Sequence, residues 1–190
     1  MNAIFDFLNQ PIVIALVTLT VGSYLLNLVA DRRARNNKLR DKAIDFISEA
    51  GNIINGFCPH VYRQLRMGNI VVDQSIEDGL KELFSKRMSI QVGSQAYLKS
   101  EVFYKQYHEL IDELADVVAS MRELEHGASL QAGIERIREH KERLRESWPS
   151  AEDFSIPYSE SPIEELISWM DMIMYFTTNL LATNLESVLG

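Results

Sequence analysis

Between Asp6 and Asp31 the chain runs for 24 residues without a formal charge, and Pro11 to Ala30 reads PIVIALVTLTVGSYLLNLVA. About 20 mostly apolar residues, rising 1.5 Å each, cross the roughly 30 Å hydrocarbon core of a bilayer. The stretch therefore predicts a transmembrane helix over residues 11–30, with Pro11 in the first turn, where its missing N–H would have had no partner. Arg32, Arg33, Arg35, Lys38, Arg40 and Lys42 follow it and no basic residue precedes it. The positive-inside rule then places residues 1–10 outside the inner membrane and the rest of the chain in the cytoplasm. A cleaved signal peptide would carry its positive charge ahead of a shorter apolar run. The order here is the reverse, so the segment is expected to stay as an anchor.

Within that span Thr20, Ser23 and Asn27 fall at i, i+3 and i+7 and share one helical face. Polar groups in lipid find partners on another helix or line a wet cavity, so this stripe predicts self-association of the chain through its anchor. The six basic residues form a collar of net charge +4 with Asp31 and Asp41, suited to anionic lipid headgroups. The 148 residues after the collar sum to −11 against −8 for the whole chain, which speaks against direct binding of DNA. The one cysteine, Cys58, allows no intrachain disulfide and fits a reducing compartment.

The rest of the sequence reads as helices, giving an all-α chain: an N-terminal membrane helix continuing into a cytoplasmic bundle of about five helices over residues 43–190. Ala43, Ile44, Ile47, Ala50, Ile54 and Phe57 recur at helical spacing with no break after the collar, and Gly56 and Pro59 are expected to end that helix. Gly68 marks a turn, and Ser75-x-x-Asp78 predicts the start of a helix carrying Ile76, Leu80, Leu83, Phe84 and Met88 inward. Phe103, Tyr107, Leu110, Ile111, Leu114, Val117, Val118, Met121 and Leu124 form a continuous stripe that stops at His126-Gly127. A charged helix from Ser129 to Trp148 offers only Leu130, Ile134, Ile137, Leu144 and Trp148. After a loop over 149–161, Ser161, Pro162 and Glu164 open a last, largely apolar helix.

Chemical motifs are sparse. No phosphate loop, dinucleotide fingerprint or zinc-spaced Cys/His set occurs, so no cofactor is expected. A nucleophile would have to be Cys58 or a serine beside His60, His108, His126 or His140. Glu123-Leu-Glu-His126 sets a carboxylate and an imidazole on one helical face, but a di-iron bundle needs a second such pair, so no metal site is expected from spacing. No Arg is followed, after four to six intervening residues, by a histidine. Asn55-Gly-Phe-Cys-Pro-His60 gives that pattern with Asn in place of Arg.

With Asn55 and His60 in a helical domain behind an N-terminal membrane helix, the chain resembles the small HEPN-like accessory membrane proteins of type VI-B CRISPR systems. The resemblance implies a homo-oligomeric ring whose membrane helices line a pore that depolarises an infected cell, hence an antiviral effector and not an enzyme. Two alternatives stand beside it. One is a membrane-tethered adaptor or sensor that binds a protein or a small signal. The other is a HEPN-like ribonuclease using Asn55 and His60.

Overall fold

The computed structural model describes residues 11–148 and 157–189, and within them the side chains of all but residues 11–22 and 25. The expected outer segment 1–10 and most of the loop 149–161 lie outside them. Among the described residues the chain is all-α, as the sequence predicts: α1 (Pro11–Arg66), α2 (Gln74–Gly93), α3 (Glu101–Glu125), α4 (Leu130–Ser147) and α5 (Pro162–Leu189), with a π-helical turn, Ser94–Leu98, after α2. Contacts divide the chain into two compact units, residues 1–42 and residues 43–190.

In the second unit α3 is the central element. Its stripe of Phe103, Tyr107, Leu110, Ile111, Leu114, Val117, Val118 and Met121 is fully buried, and α2, α4 and α5 all pack on it. The α1 turns after the collar supply Phe46, Ile47, Ala50, Ile54, Phe57, Val61 and Leu65 to the same core. Tyr107 donates its hydroxyl to the Ala50 carbonyl at 2.9 Å, satisfying a phenol that the stripe carries deep inside. From α5 come Leu166, Trp169, Met170, Ile173, Phe176 and Leu180, so that helix is a core element.

Several helix ends depart from the expected ones. α1 does not stop at Gly56 and Pro59 but continues to Arg66. Pro59 removes one N–H, whose partner would have been the carbonyl of Asn55; both residues are exposed, so water can take up the loss. Meanwhile Phe57, Cys58, Val61 and Leu65 bury one face on either side of the proline. Packing thus outweighs the local signal.

α2 begins one residue before Ser75, because Asp73 is the N-cap: its carboxylate accepts the Ile76 N–H at 3.0 Å. The inward face of α2 is Ile76, Leu83 and Ile90, with Leu80 half-buried. Phe84 and Met88 are 40% and 68% exposed. Leu130 likewise stays outside.

Gly68 and Gly127 end their helices as expected. Both take positive φ, 71° and 85°, and each closes a helix end with paired hydrogen bonds: Asn69 N–H to the Gln64 carbonyl, and Ala128 N–H to the Glu123 carbonyl. At the start of α5 the Glu164 N–H reaches the Ser161 hydroxyl, as the capping pattern predicts.

One buried contact has no hydrophobic origin. Lys141 on α4 and Glu165 on α5 have fully buried side chains and meet at 2.6 Å. Arg138 and the Ser159 N–H also hold that carboxylate, at 3.1 and 2.6 Å.

Candidate functional sites

Three places carry concentrated chemistry, and each grows out of the helices just described. The first is the stretch of α1 within residues 1–42. Side chains of residues 11–22 and 25, which include Thr20 and most of the expected span, lie outside the described set. Among the described residues no helix is long and apolar enough to cross a membrane. What is described of the expected span is unusual for a water-facing helix: Tyr24, Leu26, Leu28 and Val29 are 66%, 72%, 39% and 46% exposed. Ser23 and Asn27 are exposed among them, and the collar Arg32, Arg33, Arg35, Lys38, Arg40 and Lys42 is exposed directly beyond.

The second place is a groove of about 350 Å³ between α1 and α2, lined by Glu49, Asn52, His60, Glu82 and Lys86 among others. His60 Nδ1 lies 2.8 Å from the Ser75 hydroxyl. Asn55 does not join it: five positions along one helix set the two side chains about 140° apart around the axis. Within one chain the two residues of the HEPN-like motif are therefore not brought together.

Ser75 and His60 have the spacing of a nucleophile and its base. The donors beside them are already engaged, however. Asp73 takes the Ile76 N–H, with the Ser75 N–H also toward it, and these bonds hold its carboxyl below the usual range. The Glu77 N–H goes to the Asp73 carbonyl at 3.1 Å, so these donors of the first turn serve the cap and not a developing oxyanion. The pair acts as a clasp between α1 and α2. Burial pushes the Cys58 thiol up to about 12, away from the thiolate that a nucleophile uses.

The third place was not foreseen from spacing. Glu113 and Asp116 stand at i and i+3 on α3, and His140 comes from α4. Ligand atoms from the three all lie within 4.8 Å of one another. His140 Nδ1 is 3.5 Å from a carboxylate oxygen of each. Glu113 is nearly buried and accepts the Trp169 indole N–H at 2.9 Å, while the His140 ring lies against that indole, centroids 4.7 Å apart.

Glu113 and Asp116 border a pocket of about 550 Å³ that also takes in Tyr104, His108 and Glu109. Burial raises the Asp116 carboxyl above its ordinary value, and neighbouring Glu113 and Asp112 add to the rise against the pull of His140 and Arg143. His108 is pushed down, first by burial and then by the Arg87 guanidinium, and its Nε2 atom is buried with no hydrogen-bond partner among the described residues.

The pair singled out from spacing, Glu123 and His126, does not converge. Glu123 is bound to Arg136, and His126 sits exposed at the end of α3. The signal for the third place was Glu113-x-x-Asp116 on the helix with the longest apolar stripe; only the packing of α4 on α3 adds His140. No protein-family model matches the chain, and neither curated proteins nor solved structures yield a match.

Proposed function

We propose that the chain is a membrane-anchored helical protein that self-associates through its N-terminal helix and perturbs the bilayer, with its helical domain on the cytoplasmic side of the inner membrane. The observation that carries this reading is the exposed apolar set Tyr24, Leu26, Leu28 and Val29 running straight into an exposed basic collar. Apolar side chains left in water cost about 25 cal/mol per Å², a cost removed by lipid on one side while Lys and Arg meet anionic headgroups at the boundary.

Self-association is supported by Ser23 and Asn27, polar and uncovered by their own chain. With Thr20 they form the stripe that a neighbouring helix or a water-filled pore would satisfy. The resemblance to type VI-B accessory proteins supplies the setting, antiviral defence.

Two measurements test this. The protein expressed in bacteria is expected in the membrane fraction and resistant to alkaline extraction. Purified in detergent and returned to anionic vesicles, it is expected to release a trapped dye, and Thr20→Leu with Asn27→Leu is expected to abolish the release while leaving membrane insertion intact. Release unchanged by the double substitution sinks the pore. If function survives exchange of residues 1–30 for an unrelated anchor, the chain is a tethered adaptor.

A further inference from the structure

We infer that Glu113, Asp116 and His140 bind one divalent transition-metal ion, linking α3 to α4 on the bundle and leaving a coordination position open to the pocket. Donor atoms around an ion at about 2.1 Å in a tetrahedron lie about 3.4 Å apart. The imidazole nitrogen is 3.5 Å from a carboxylate oxygen on either side. Two carboxylates from successive turns of one helix and an imidazole from the next give three protein ligands, the number that leaves a fourth site for water or substrate.

The surroundings also fit. Glu113 is oriented by the Trp169 N–H and His140 by the face of the same indole, the kind of outer support that fixes ligands to a metal. Arg143 donates to His140 Nδ1, so that nitrogen carries a lone pair, now taken by the guanidinium, that an ion would take in its place.

Charge points the same way. The pocket wall holds Glu109, Asp112, Glu113 and Asp116. Among nearby cations Arg87 is bound to Asp112 and Lys105 is bound to Glu101. Arg143, besides donating to His140, faces Glu113 at 3.7 Å with a side chain 62% exposed. A carboxylate as buried as Glu113 needs a compensating charge close by. The guanidinium is the stand-in for the ion and, being exposed, can swing away when one binds. An imidazole in the donor set favours zinc or cobalt over magnesium or calcium, which take oxygen ligands.

The test uses the full chain in detergent, stripped with a chelator and titrated with Zn2+ and, for its visible absorption, Co2+. One ion per chain is expected, with magnesium in about 100-fold excess failing to compete. Asp116→Asn, at a half-exposed position where folding should be unaffected, is expected to weaken Zn2+ more than about tenfold, as is His140→Gln. Arg143→Gln is expected to tighten it by removing the competing cation. Absence of stoichiometric binding, or binding that Asp116→Asn and Arg143→Gln leave unchanged, overturns the inference. Neither outcome bears on the membrane reading, which involves no residue of this pocket.

Discussion

Lys141 and Glu165 show how much a single pair can carry. Both side chains are fully buried, and removing one partner leaves the other charge unpaired in a low-dielectric interior. Glu165→Gln is expected to lower stability by about 3–5 kcal/mol in urea unfolding of the detergent-solubilised protein. Burial alone would raise the Glu165 carboxyl, but Lys141, the Ser159 N–H and Arg138 outweigh it and hold the group below its ordinary 4.5. A carboxyl depressed in the folded state contributes stability that is whole above its unfolded value and is lost as pH falls through the folded one. Acidification below pH 4.5 should therefore move the urea midpoint down in the wild-type chain, and Glu165→Gln should flatten that dependence. Cys58 gives a second check at this scale. With its thiol pushed up to about 12 inside the core, it should react with a thiol reagent at about pH 8 only as fast as the protein unfolds.

At the scale of helices, two glycines make opposite predictions. A Cβ at Gly93 would stand 2.3 Å from the ring of Phe46, which is itself packed against Phe103. Gly93→Ala should therefore destabilise by about 1–3 kcal/mol through overpacking. At Gly56 nothing lies within 4 Å, and the residue is inside α1. Gly56→Ala should stabilise by up to about 1 kcal/mol. Thermal unfolding of the two variants side by side separates close approach from helix propensity. Asp73→Ala should cost about 0.5–2 kcal/mol by uncapping α2.

The helix ends were legible in the sequence where a local rule had no competitor. Gly68, Gly127 and Ser161 each supply a backbone conformation or a cap that few other residues can. The rule failed at Pro59, where Phe57, Cys58, Val61 and Leu65 on one buried face carry α1 through the proline. It failed at Ser75 because Asp73, two positions earlier, is the stronger acceptor.

For the molecule as a whole, charge and apolar length were written in linear order. The uncharged stretch before Asp31, the collar to Lys42 and the −11 of the remainder need no neighbours to be read. The apolar stripe of α3 was equally plain, since a 3.6-residue apolar period sustained from Phe103 to Leu124 marks a helix buried along one side. Which groups meet across helices was not. Lys141 looks like one more charge on a solvated helix, and His140 like a stray imidazole, until α4 is laid on α3 and α5. Local periodicity fixes each helix because its cause lies within a few residues along the chain. The buried ion pair, the Ser75–His60 clasp and the Glu113–Asp116–His140 cluster depend on residues 15 to 27 positions apart, and only packing of the bundle brings those together.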